Sequence, residues 1–98
     1  MFKILDKKHL APQVFRYLLD APDIAKKALP GQFVIIRLDE TGERIPITIS
    51  TADPAHGTLT FYVQATGKTS MEMSRMKTGD FILDVVGPLG NPSPIDLF

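Results

Sequence analysis

The stretch "GERIPITIS", residues 42–50, carries the side chains best suited to bind a ligand. On a β-strand, successive side chains point to opposite faces, so Arg44, Pro46 and Thr48 share one face and the three isoleucines share the other. The planar guanidinium of Arg44 suits bidentate contact with a phosphate. Thr48 lies roughly 13 Å further along the strand, at ~3.3 Å per residue. This face would suit a ligand with a phosphate at one end and a planar polar ring at the other; the alternative is an ordinary solvated strand face.

A second candidate is "ATGKTS", residues 65–70. Gly67 allows close approach of the backbone, and the Lys68 ammonium beside a helix that starts at Thr69 or Ser70 would favour an anion such as phosphate. The nucleotide P-loop pattern also needs a glycine at the position of Tyr62, so a P-loop is not expected. The alternative is that the hydroxyl residues cap the helix and the lysine is solvated.

The elements that must position these residues are short strands separated by turns. At least six such segments predict an all-β fold, a six-stranded antiparallel Greek-key barrel with one or two short helices. "TLTFYVQ", residues 58–64, alternates apolar and polar side chains and predicts a half-buried strand. One helix is expected from 24 to 29, capped by Asp23, and another near residues 70–76.

Composition narrows the function classes. The chain has 98 residues, which suits one domain, and its 11 basic and 11 acidic residues cancel. Balanced charge predicts no nucleic-acid or anionic-membrane partner. With no cysteine, the chain can form no disulfide and no thiolate-held cluster. His9 and His56 are far apart, so no metal site is expected. No apolar run could cross a bilayer, and a cytoplasmic location is the expectation.

Taken together, "ERIPIT", "GKTS", Gly79-Asp80 and "VGPLGNPS" occur in an order and spacing that resembles a known family. The chain resembles, over essentially its whole length, the flavin-binding barrel of the ferredoxin–NADP reductase superfamily. Within that superfamily the likeness is greatest to the alpha subunits of NADH-dependent ferredoxin–NADP oxidoreductases, also called sulfide dehydrogenase subunits. The electron-transfer subunits of dihydroorotate dehydrogenase are near relatives.

The resemblance implies that the chain binds FAD, with no catalytic side chain beyond a role for Thr48 near the flavin N5 edge. Arg44 would lie along the diphosphate, and Pro46 and Ile47 would border the isoalloxazine ring. Many members of the superfamily have an aromatic residue in place of Pro46, so stacking by a phenol is not expected here. The next strand and turn would complete the site with Tyr62, Val63, Gln64, Gly67, Lys68, Thr69 and Ser70, the last four holding the diphosphate through backbone amides.

The resemblance also implies a role in an NAD(P)H-dependent oxidoreductase that passes electrons through the flavin to an iron–sulfur partner subunit or ferredoxin. Residues 1–90 would form the FAD-binding barrel, and residues 91–98 a linker toward an absent NAD(P)-binding domain. The chain alone would then be catalytically incomplete. Alternatives are the electron-transfer subunit of dihydroorotate dehydrogenase, a protein-interaction barrel without a cofactor, and FMN in place of FAD.

Overall fold

The computed structural model of the protein describes residues 1–90, leaving out the side chains of Lys68 and Thr69; the expected linker, residues 91–98, lies outside this range. The described residues form short strands and two short helices. In chain order these are β1 (Phe2–Ala11), β2 (Val14–Asp20), α1 (Pro22–Lys27), β3 (Phe33–Arg37), β4 (Arg44–Thr48), β5 (Thr51–Asp53), β6 (Thr58–Gln64), α2 (Lys68–Ser74), β7 (Phe81–Ile82) and β8 (Asp84–Leu89).

The strands are arranged in two antiparallel sheets. The larger sheet has five strands in the order β5-β6-β2-β1-β7, and the smaller has three in the order β4-β3-β8. Each adjacent pair in both sheets runs antiparallel. The prediction of a mostly β, antiparallel fold with short helices is therefore confirmed.

The predicted single six-stranded closed barrel is not what the described residues form, because two segments that read as single strands are each divided between the sheets. After β4, the Ile49 amide donates to the Gln32 carbonyl beside the small sheet, whereas the Ser50 amide donates to Thr60 of the large sheet. Likewise, Ile82 pairs with β1, whereas the Leu83 amide donates to the Leu38 carbonyl at the end of β3. Bends of this kind let one strand turn a corner from one sheet to another.

The core is built from the inward faces of the strands. On β6 the residues Leu59, Phe61 and Val63 are buried, as the period-two alternation predicts. Phe61 lies opposite Tyr17 of β2, and the two rings stack with centroids 5.6 Å apart. On β4, Ile47 is buried while its neighbours Pro46 and Thr48 are exposed, so the predicted isoleucine face is confirmed as the core face.

Both helices begin earlier than the sequence indicates. The first begins at Pro22, since proline is well suited to the first helical position, where its missing N–H costs no hydrogen bond. Asp23 therefore lies inside the first turn and does not cap the helix; the N-cap residue is Ala21, without a side-chain hydrogen bond. The second helix, α2, begins at Lys68, just before the predicted start at Thr69 or Ser70.

Candidate functional site

An open groove of about 350 Å³ lies where β4, β6 and the first turn of α2 meet. It contains every residue predicted on β6, both ends of the predicted 67–70 turn, and Pro46 and Ile47 of β4. Its full lining is Glu43, Ile45, Pro46, Ile47, Tyr62, Val63, Gln64, Thr66, Gly67 and Ser70. The structure thus brings two stretches far apart in the sequence, "ERIPIT" and "ATGKTS", to one groove.

The groove exists because β4 and β6 belong to different sheets and do not pair with each other. Its apolar floor is formed by Ile47 and Val63, which are 9% and 3% exposed, with half-buried Ile45 beside them. At the rim, Tyr62 is 48% exposed and Gln64 is also exposed. An apolar floor with a few polar groups at the rim is typical of a binding site for an organic cofactor.

The exposed face of β4 adjoins this groove and carries Arg44, Pro46 and Thr48 in a row. Pro46 belongs to both surfaces, whereas Arg44 and Thr48 lie outside the groove lining. Arg44 pairs in register with Arg37 of β3, whose Nε atom donates to Asp84 Oδ2 at 3.0 Å. Among the side chains that the structure describes, Arg44 itself forms no ion pair, so its charge is available to an anion.

The turn before α2 is shaped by the hydroxyl of Ser70. The Ser70 Oγ atom accepts hydrogen bonds from the backbone amides of Gly67 at 2.9 Å and Thr66 at 3.1 Å, and donates to the Gly67 carbonyl at 3.0 Å. Gly67 is the N-cap residue, and the first N–H groups of any helix lack acceptors within the helix. The Gly67 and Thr66 amides are thus occupied, and the donors that this end of the groove presents are the first amides of α2, at residues 68–70, so the roles predicted for Lys68 and Thr69 concern their amides.

Sequence reasoning missed three lining residues and the support beneath the turn. Glu43 and Thr66 lie within the stretches "ERIPIT" and "ATGKTS" but were not assigned to the site, and Ile45 was assigned only to the core, so proximity in the chain was the available signal. The support comes from Lys7 and Tyr17, which contact the carbonyls at the other end of α2. Nothing in the local sequence pattern pairs these two residues with that helix.

Other features of the described residues lie away from the groove. Within residues 1–90 there is no group of three or more histidine, aspartate or glutamate side chains that could hold a metal ion. His56 and Asp53 meet in the β5–β6 turn, with Nδ1 and Oδ2 2.7 Å apart, and this hydrogen bond lowers the pKa of Asp53. Neither helix in this part of the chain is long and apolar enough to span a membrane.

Comparison with known families gives a match over almost the whole chain. Residues 1–93 match the family model described as the oxidoreductase FAD-binding domain. A curated protein of Thermotoga maritima, the "Dihydroorotate dehydrogenase B (NAD(+)), electron transfer subunit homolog", is 50% identical over 94 residues, covering 96% of this chain and 33% of that protein. The electron transfer subunit of dihydroorotate dehydrogenase B (NAD(+)) from Desulforamulus reducens is 39% identical over 98 residues, covering 92% of this chain and 37% of its own.

A solved structure gives the same result in three dimensions. The structure of an NADH-dependent reduced ferredoxin-NADP oxidoreductase, described as an insight into flavin-based electron bifurcation, superposes with a TM-score of 0.90 at 50% sequence identity. The match covers 93% of this chain and 33% of that one. The chain therefore spans about a third of the length of the relatives it matches.

Proposed function

The chain belongs to the oxidoreductase FAD-binding domain family, and on that premise we propose that it is the FAD-carrying part of an NAD(P)H-dependent electron-transfer oxidoreductase. The observation that carries the proposal is the groove that joins β4, β6 and the turn before α2, since it unites "ERIPIT" and "GKTS", two of the three stretches on which the resemblance to flavin-binding barrels rests. One named relative is an electron transfer subunit homolog, and the solved structure is described in terms of flavin-based electron bifurcation, which agrees with this role.

The shape and chemistry of the groove fit part of an FAD molecule. Its volume of about 350 Å³ lies at the lower end of the range for ligand pockets, so the rest of the dinucleotide would extend over the neighbouring surface. We assign the diphosphate to the first amides of α2, at residues 68–70, and to Arg44, whose exposed guanidinium stands on the adjoining face. The backbone amides supply hydrogen-bond donors and Arg44 supplies positive charge, and a diphosphate requires both.

The isoalloxazine ring is assigned to the surface around Pro46, Ile47 and Thr48. Pro46 provides an apolar contact at the edge of the groove and Ile47 one at its floor, and Thr48 provides an exposed hydroxyl two residues beyond Pro46. The remaining lining residues predicted to contact the flavin and ribityl chain are Tyr62, Val63 and Gln64, on the facing strand.

These assignments separate the chemistry supplied by the cofactor from the roles of the residues that bind it. Bound FAD supplies the exchange between two-electron hydride chemistry and one-electron transfer. The residues of this chain hold the cofactor, orient its ring, and set the polarity around it; buried Ile47 and Val63 exclude water from the groove floor. No side chain of the described residues is assigned a proton-transfer step.

The partners of the complete protein are part of the proposal. The relatives are about three times as long as this chain, which supports an NAD(P)H site in a nucleotide-binding domain outside these 98 residues. The proposed acceptor is an iron–sulfur partner subunit or ferredoxin. The second candidate is electron transfer for dihydroorotate dehydrogenase, and it is favoured by the names of the Thermotoga maritima and Desulforamulus reducens relatives.

Purification of the full-length parent protein tests this proposal. The cofactor released on denaturation is expected to have the mass of FAD, and NADH or NADPH is expected to bleach the flavin absorption without added substrate. Reduction of ferredoxin-type acceptors would then support the first candidate, and coupling to dihydroorotate oxidation the second. A colourless parent protein that gains no flavin on incubation with FAD would reject both and support the cofactor-free interaction barrel.

A further inference from the structure

The helix that begins at the groove is anchored at its far end by two strands of the large sheet. The Lys7 Nζ atom of β1 donates to the carbonyl of Met76 at 2.7 Å and also to that of Ser74. The Tyr17 hydroxyl of β2 donates to the Met73 carbonyl at 2.6 Å. Three carbonyls around the end of α2 are thus bound by side chains that rise from the sheet below it.

Lys7 lies on the core-facing side of β1, whereas a lysine with no structural role usually points to solvent. A β-bulge between Ile4 and Asp6 shifts the alternation of β1, so that Lys7 pairs with buried Tyr17 and points to the same side as the core residue Ile4. Its ammonium lies 4.7 Å from the centroid of the Phe15 ring and 5.8 Å from that of Tyr17. A cation near a helix C-terminus is stabilised by the helix dipole and by the last carbonyls.

The charges around Lys7 agree with an anchoring role for a partly buried ammonium. Burial lowers the pKa of Lys7, while nearby Asp80 raises it and Lys77 lowers it further. The hydrogen bonds from Lys7 to two carbonyls offset part of the free-energy cost of removing its ammonium from water. Because leaving these acceptors would forfeit that compensation, the side chain stays at the end of α2.

The length of α2 connects this anchor to the groove. The helix has seven residues, so its two ends are about 10 Å apart at 1.5 Å per residue. A helix this short has little stability of its own, and tertiary contacts must set its position. Movement at the carbonyl end would therefore displace Gly67 and Ser70, which line the groove at the other end.

We infer that Lys7 is a positioning residue for the cofactor site, because it fixes α2 so that the 67–70 turn is already formed before FAD binds. This inference rests on the proposed FAD site. Lys7 does not line the groove. It would affect cofactor binding only indirectly, by holding α2 in position.

The test compares three variants of this chain. Lys7→Met keeps the length of the side chain and removes the ammonium, Lys7→Arg keeps the charge and the donors, and Lys8→Met is the matched control on the exposed side of the same strand. Two quantities are measured: the Kd for FAD by fluorescence titration, and the backbone amide signals of the ligand-free chain by ¹H–¹⁵N NMR.

Lys7→Met is expected to raise the Kd for FAD about tenfold or more. Without the charge-assisted hydrogen bonds of Lys7, part of the free energy of FAD binding must be spent on ordering the 67–70 turn. The amide signals of residues 67–70 should shift in the absence of ligand, while those of Leu59 to Phe61 stay in place. Lys7→Arg is expected to restore both quantities toward wild type, and Lys8→Met to change neither. If Lys7→Met fails to fold, Tyr17→Phe removes the neighbouring contact and is expected to move both quantities in the same direction by a smaller factor.

Unchanged FAD affinity in Lys7→Met, or weaker affinity with unmoved 67–70 signals, would overturn the role of Lys7. A wild-type chain that binds no FAD would instead reject the proposed site, so failure of the inference and failure of the proposed function give different results.

Discussion

Replacing Tyr17 with phenylalanine removes a single hydroxyl from the centre of the core. The Tyr17 side chain is fully buried, and its ring packs on Phe61, contacts that phenylalanine would keep. The hydroxyl donates to the Met73 carbonyl at 2.6 Å, but that carbonyl also accepts from the Met76 amide at 3.0 Å. Since no acceptor loses its last partner, Tyr17→Phe should lower the free energy of unfolding at pH 7 by only about 1 kcal/mol.

The same hydroxyl makes stability depend on pH in the alkaline range. Burial raises the pKa of Tyr17 to about 12, above the value near 10 of a tyrosine in an unfolded chain. Between these two values the unfolded chain releases the phenolic proton and the folded chain keeps it, so the free energy of unfolding falls as pH rises. The contribution is complete below pH ~10, and up to ~2–3 kcal/mol of it is lost by pH ~12.

Urea unfolding followed by circular dichroism, at pH 7 and at intervals up to pH 11.5, measures both effects. The difference in unfolding free energy between wild type and Tyr17→Phe should shrink and then change sign as pH rises, because only the wild type carries the buried phenol. Tyr62→Phe, at an exposed tyrosine, is the control and should change stability at pH 7 by less than ~0.5 kcal/mol. A wild-type-minus-Tyr17→Phe difference that stays constant with pH would refute the reasoning.

Three further outcomes are expected. Arg44→Ala should weaken FAD binding by roughly 1.5–3 kcal/mol in a titration while leaving the urea midpoint unchanged, because the side chain is exposed; an unaltered Kd would remove Arg44 from the site. Thr48→Val should fold normally and shift the flavin reduction potential in a spectroelectrochemical titration, and an unshifted potential would place the hydroxyl away from the N5 edge. Gly57→Ala should lower the unfolding free energy by at least ~1 kcal/mol, because Gly57 has a φ of +69° and an added Cβ would lie 2.9 Å from Pro22 Cβ; calorimetry showing an unchanged Tm would contradict this.

The strand faces that build the site could be predicted from the sequence because a two-residue period is a local property. The alternation in "RIPIT" and "TLTFYVQ" identifies Ile47 and Val63 as inward-facing, and both are buried. The association of Pro46 with the Gly67 turn was predicted from the resemblance, and the groove does contain both residues. Whether these residues contact FAD remains a prediction.

The features that escaped prediction depend on tertiary structure. The division of the strands between two sheets at Ile49–Ser50 and at Leu83 is set by which partner each backbone amide finds, and the local sequence does not encode that choice. The inward position of Lys7 follows from a bulge near Ile4, and a strict period-two reading of "FKILDKK" would place it on the opposite face from Ile4. A bulge of one residue reverses the assignment of every later side chain in the strand.

The most direct test of the account is titration of this chain with FAD, followed by flavin fluorescence and absorbance. The account predicts saturable binding at one site per chain, weakened by Arg44→Ala and retained by a control such as Lys27→Ala on the exposed side of α1. A correctly folded chain that shows no saturable binding, or that binds equally well with and without Arg44, would contradict the claim that this groove and the face beside it hold the cofactor.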